Sequence, residues 1–159
     1  MSKPIDSFQG QYRFLSNFYP ARIEYDGRPW PTVEHAYQAA KTANPRLQEE
    51  VRLAKTPGQA KRLGARVPLR EDWHKVRVPI MENLVRIKFK SHPDLAKKLL
   101  ATGDAGLVEG NHWHDNFWGY CVCTKCNPPG WYEESRSKNH LGRILMRIRR
   151  DLKAEVNSA

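Results

Sequence analysis

The stretch "RIEYDGRPWPTVEHAYQAAK" changes its hydrophobic period partway along. Ile23 and Tyr25 alternate as in a half-buried strand. "YDGR" supplies a turn, with Gly27 free to take the left-handed conformation. Pro29 and Pro31 then stop the strand, because proline cannot donate to a ladder. From Val33 the spacing is helical: Val33, Ala36 and Ala40 share one face, and Thr32 is placed to cap the helix. A chain that makes this switch mixes hairpin and helix, which excludes an all-helical bundle and an all-β sandwich.

The remaining punctuation marks out more helices. "PRLQEEVRLA" begins after Asn44. "TPGQAKRLG" has Thr56 as its cap, Pro57 in its first turn and Gly64 at its end. The longest central helix lies in "DWHKVRVPIMENLVRIKFK", where Val78, Met81, Leu84, Val85 and Lys88 recur at helical spacing. In "SHPDLAKKLLATG", Ser91 and Asp94 have the form of a capping box, and Gly103 closes the element. "GLVEG" and "FWGYCVC" are expected to be short strands. "NHLGRILMRIRRDLKAE" is a final helix with Leu141, Leu145 and Ile148 as its buried stripe. The expectation is an α+β fold: one compact domain over residues 1–159, mostly helical around a small β-sheet.

Charge narrows the partners. Lys and Arg number 27 against 17 Asp and Glu, a net charge of +10. That excess suits an anionic partner such as nucleic acid, a nucleotide or a sugar phosphate, without choosing among them. No apolar run approaches the roughly 20 residues of a membrane span, and "MSKPIDSFQG" has no apolar signal core. No membrane partner is expected, and the cytoplasm or another reducing compartment is. Three cysteines fit that compartment better than a disulfide scaffold.

Glu34 and Lys41 raise a chemical question. At 100° per residue Lys41 falls about 20° from Glu34, two turns along the same face, with Gln38 between them. The helix dipole favours an ionised Glu34 in the first turn. Both groups lie at the rim of the apolar face, where a pocket edge would place them. The plain alternative is two solvated charges that do not interact, since the separation exceeds the usual surface pair.

Several stretches together decide further. "FLSNFYP", "WPTVEHAYQAAK", "GQAKRLG", "DWHKVRVPIMENLVRIKF", "LLATGDAGLVEG", "DNFWGY" and "KNHLGRILMRIRRDL" occur in this order over nearly the whole chain. In this they resemble the NADAR (YbiA-like) family of N-glycoside hydrolases. The resemblance implies a compact, mostly helical α+β domain with no metal or redox cofactor. It implies a substrate that is either ADP-ribosylated guanine, in DNA or a nucleotide, or a ribosylamino-pyrimidine phosphate intermediate of riboflavin synthesis, the first being preferred. A non-catalytic reader of ADP-ribose or nucleic acid is the rival of another class.

Carried onto this chain, the resemblance makes Glu34 a catalytic carboxylate and Lys41 the amine that meets the ribose. Asp115 is a second candidate acid, with Glu109 behind it. Trp73 would help wall the base pocket, with Tyr37 and Gln38 as further substrate-binding residues. Asp115, Trp118 and Gly119 match D-x-x-W-G, and Asn139, Leu141 and Gly142 match N-x-L-G, where a helix start would meet the ligand. Arg13, Ser16 and Asn17 could hold ribose or phosphate, although Arg13 could equally face solvent and Gly142 could serve tight helix packing. Trp73, Trp113 and Trp118 could stack on a base or simply fill a core.

The segment after Trp118, at about residues 121–138, is longer and richer in cysteine than the compact spacer such a chain would have. Cys121-x-Cys123-x-x-Cys126 is not by itself a standard zinc spacing. His112 or His114 could complete a tetrahedral set, but free thiols are the preferred expectation. His35 and His140 are expected to orient neighbours rather than to bind or catalyse. The oligomeric state is left open.

Overall fold

A computed structural model describes residues 2–127 and 137–159. The chain divides into two compact units, Asn17–Pro93 and Met1–Ser16 with Asp94–Ala159.

The first of these begins with the hairpin. Strands β1 (Ile23–Tyr25) and β2 (Arg28–Trp30) pair antiparallel, Ile23 opposite Trp30. Both turn residues, Asp26 and Gly27, have positive φ, the geometry that matches a two-residue hairpin to the strand twist. Helix α1 (Val33–Ala40) follows, with the Thr32 side chain accepting from the His35 N–H as expected. Asn44 and Thr56 likewise cap α2 (Pro45–Arg52) and α3 (Pro57–Gly64), each with proline in the first turn.

Helix α1 is buried from Val33 through Ala39, not on one face alone. It packs on α2, α3 and α4 (Trp73–Ser91), while β1 lies on α4. A helix enclosed in this way must satisfy its polar side chains internally. The α4 stripe is buried at Met81, Leu84, Val85 and Lys88, with Val78 only partly covered.

The other unit holds a 3-10 helix (Gly10–Leu15), α5 (Pro93–Ala101, all but its first residue), β3 (Gly110–Asn111), β4 (Tyr120–Cys121) and α6 (His140–Ser158). Its buried residues include Phe14, Leu15, Leu95, Leu99 and Leu107, with Leu141, Ile144, Leu145 and Ile148 along α6.

The α+β class holds, but the single sheet does not form. Among the described residues there are two separate two-stranded ladders, β1–β2 antiparallel and β3–β4 parallel. "GLVEG" contributes only a bridge from Leu107 to Ile5 and the first residue of β3. The Ser91–Asp94 capping box is also absent. Helix α4 runs through Ser91, so that residue lies inside one helix rather than at the cap of the next. No described helix is long and apolar enough to cross a membrane. The cysteine-containing insertion is described through Asn127 and from Ser137, and residues 128–136 lie outside the described residues.

Candidate active site

Within Asn17–Pro93 the sequence places Asn17, Glu34, Tyr37, Gln38, Lys41 and Trp73 around α1. Glu34 is only 7% exposed. Its carboxylate Oε1 accepts a hydrogen bond from Gln38 Nε2 at 2.7 Å, one turn along. Its backbone N–H donates to the Asn17 carbonyl at 3.2 Å. Asn17 is itself buried, and its Nδ2 reaches Met81 Sδ on α4 at 3.4 Å. Asn17 therefore anchors the start of α1.

Gln38 is buried, and among the described residues its Oε1 has no hydrogen-bond partner. Gly64, the last residue of α3, makes room for this amide: a Cβ there would collide with Gln38 Oε1.

Lys41 lies just past the helix and is half-buried. Burial lowers its pKa from the ordinary lysine value. The Glu34 carboxylate opposes that shift, and the positive charge of Lys61 reinforces it. Glu34 and Lys41 thus sense one another's charge, unlike the solvated pair that spacing alone allowed. The Lys41 ammonium sits 5.7 Å from the Tyr37 ring centroid, and Tyr37 in turn packs on Trp73 with centroids 5.2 Å apart. Both rings are buried. Lys61 lies 6.0 Å from the ring of Phe18, which is partly exposed.

Sequence reasoning passed over Lys88. It is almost fully buried, 5.7 Å from the Tyr19 ring centroid and 5.3 Å from that of Phe89. Burial lowers its pKa to about 7. The signal was legible as a lysine at a buried-stripe position, which periodicity counted as one more stripe residue. His35 bridges two elements: its Nε2 donates to the Ala54 carbonyl at 3.0 Å and its Nδ1 lies 2.8 Å from Thr32 Oγ1. A cleft of about 200 Å³ on the Ala36, Ala39 and Ala40 side of α1, reaching Trp30 and Arg70, is lined by none of the predicted site residues.

The other predicted residues lie in the second unit, and most have backbone partners. Asp115 Oδ1 accepts from the N–H groups of Phe117 and Trp118 at 3.1 and 2.8 Å. Trp118 meets Phe117 edge-on, centroids 4.8 Å apart. A Cβ on Gly119 would strike the Glu109 carbonyl, which itself accepts from the Tyr120 N–H. Asn139, in the left-handed conformation, donates to the Leu107 carbonyl and accepts from the Glu109 N–H. Gly142 packs so closely on the Leu107 carbonyl that a Cβ would not fit.

The N–H groups of His140 and Leu141 donate to the carbonyls of Phe117 and Trp118, and Leu141 is fully buried. These two donors of the helix start are therefore occupied rather than aimed at a ligand. Arg13 is exposed, and the N–H of half-buried Ser16 donates to its carbonyl.

The three cysteines do not scatter. Cys121, Cys123 and Cys126 gather with His114, all four donor atoms within 4.8 Å of one another, and no disulfide joins them. The backbone N–H of Cys126, the Cys121 thiol and the backbone N–H of Lys125 are among the groups bonded to the Cys123 sulfur, lowering its pKa to about 6. Trp113, next to His114, is 56% exposed.

The NADAR domain family model matches residues 6–153. The chain is 36% identical over 151 residues to N-glycosidase YbiA of Escherichia coli, covering 94% of this chain and 87% of that protein. It is 41% identical over 156 residues to a riboflavin biosynthesis protein of Vibrio vulnificus, of which it spans only 39%. The solution NMR structure of Escherichia coli YbiA superimposes with a TM-score of 0.82 at 34% identity, covering 100% of this chain and 90% of that one.

Proposed function

The chain belongs to the NADAR domain family, and from that premise we propose that it is an N-glycosidase that cleaves the bond between ribose and a nucleobase. The observation that carries this reading is the pairing of a buried, amide-held carboxylate on α1, Glu34, with Lys41 just past its end, a lysine whose pKa burial depresses.

Cleavage of an N-glycosidic bond builds positive charge on the ribose, and a fixed carboxylate stabilises it. Gln38 orients the Glu34 carboxylate by donating to it. Lys41 has a larger neutral fraction than a solvated lysine, so its lone pair can attack the anomeric carbon. The N–C bond then forms as the bond to the base breaks. The base leaves with the electron pair and takes a proton, the ribose ring opens to a Schiff base, and water hydrolyses that linkage to free the amine. In the simpler route Glu34 stabilises the cation while water attacks directly, and Lys41 holds an anionic group of the substrate.

The riboflavin biosynthesis name of the Vibrio relative favours a small ribosylamino-pyrimidine phosphate as substrate. The second reading is ADP-ribosylated guanine in DNA or a nucleotide, whose approach a net charge of +10 would assist. A parallel assay decides: the protein is incubated with each substrate and the released base is quantified. Base from one substrate alone assigns the specificity. Binding without release from either would replace the hydrolase with an ADP-ribose reader.

A further inference from the structure

We propose that His114, Cys121, Cys123 and Cys126 form a structural zinc site, a function of the cysteine-containing segment separate from glycoside cleavage. The four donors are a soft, nitrogen-and-sulfur set of the kind zinc takes in closed tetrahedral sites.

The spacing fits the metal. Bond lengths of ~2.3 Å to sulfur and ~2.0–2.1 Å to nitrogen at tetrahedral angles put nitrogen and sulfur about 3.6 Å apart. His114 Nδ1 lies 3.3 Å from Cys123 Sγ, 3.4 Å from Cys126 Sγ and 3.9 Å from Cys121 Sγ. Four donors around one centre leave no open position for water or substrate, so the site is structural and the chemistry proposed for Glu34 and Lys41 does not pass through it.

The surroundings brace the ligands. Cys123 and Cys126 lie in one C-x-x-C turn. Asn116 Nδ2 donates to Cys126 Sγ at 3.3 Å, while its Oδ1 accepts from the Cys121 N–H at 3.0 Å. One amide thus braces two of the ligands, as outer-shell partners of metal sites do.

His114 has φ of 66°, a left-handed conformation that is uncommon for a residue with a side chain. The turn brings its ring back over the cysteines. Cys121 arrives from β4, which explains how a linear spacing unlike standard zinc motifs still closes a site.

The fold would gain a clip between the β3–β4 loop and the residues after β4. Asn111 Oδ1 accepts from the N–H groups of Trp113 and Asp115, and Asp115 holds Phe117 and Trp118. A metal at His114 would fix this run from its middle.

The test uses the full chain, purified under reducing conditions, supplied with zinc and then freed of loosely held metal. Elemental analysis is expected to find about one zinc per chain. The Cys123→Ser/Cys126→Ser double variant should retain at least about tenfold less. Asn116→Ala, with every ligand intact, should weaken zinc affinity roughly tenfold.

Cobalt substituted into the unaltered chain gives a readout that needs no variant. Intense visible bands and thiolate charge transfer in the near-ultraviolet are expected, and His114→Ala should change the visible bands. Less than about a tenth of an equivalent of zinc, or a cobalt spectrum without thiolate bands, would overturn the proposal.

Discussion

Gln38 reaches back one turn of α1 and donates to Glu34 at 2.7 Å, while its other amide atom is buried against Gly64, with no hydrogen-bond partner among the described residues. The two side chains form a unit whose geometry depends on a residue of another helix. The amide donor replaces part of the water lost by a carboxylate that is only 7% exposed.

Replacing Glu34 with Gln keeps the shape and removes the charge. Turnover is expected to fall by about 10²–10³ because the stabilisation acts on the transition state. Ligand affinity should stay within about tenfold. Steady-state kinetics with binding measured separately will separate the two, and a fully active variant would remove Glu34 from the mechanism.

Gly64→Ala tests the support behind that pair. The added methyl meets the Gln38 amide, so the side chain must shift away from its bond to Glu34. Overpacking of this kind costs about 1–3 kcal/mol. Chemical denaturation should report that loss, and the folded variant should lose turnover as well. Full activity together with wild-type stability would mean the amide has room to move.

The hairpin and the first three helices were readable because their signals are local. Gly27 sets a turn, while Thr32, Asn44 and Thr56 cap helices with their own side chains. Ser91 misled because a capping box needs a break before it, and the break falls at His92, after the helix has already passed Ser91. Strands β3 and β4 are two residues each, too short to carry an alternation. Glu34 and Lys41 were singled out, but spacing placed them at the rim. Their burial arises from α2, α3 and α4 closing around α1, which no local pattern records. The gathering of His114 with the cysteines is equally non-local, set by a left-handed residue and a parallel strand pair.

Asp115 separates two roles by a single atom. Asn would keep the Oδ1 acceptor that holds the N–H groups of Phe117 and Trp118, and would lose only the charge. Asp115→Asn should therefore retain activity within about tenfold, whereas Asp115→Ala should cost about 0.5–2 kcal/mol of stability, as lost side-chain caps do. Loss of all turnover in a stably folded Asp115→Asn variant would instead make Asp115 a catalytic acid.

Lys61 lowers the Lys41 pKa by repulsion, after the larger effect of burial. In the covalent route the rate rises with pH as the Lys41 amine loses its proton. Lys61→Gln removes the repelling charge, so the Lys41 pKa goes up and the rising limb moves to higher pH. A pH–rate profile checks the displacement, and trapping with borohydride during turnover checks the bond, with a ribose adduct on Lys41 expected by mass spectrometry. An unmoved limb and no adduct would favour direct attack by water.

Lys88 gives the fold its own pH dependence. Burial holds its pKa at about 7 in the native state, against ~10.4 in the unfolded chain. Between those values the unfolded chain binds the extra proton, so stability rises with pH across the window. The rise approaches about 1.4 kcal/mol per pH unit, and below about pH 7 this contribution levels off, since both states are then protonated. Lys88→Met keeps the length and the apolar stem without a titrating amine, and should flatten this part of the curve. Urea unfolding of both chains at several pH values across the window measures the difference directly. Parallel curves for the two would mean that Lys88 keeps its proton in the native state, held by a neighbour strong enough to offset its burial.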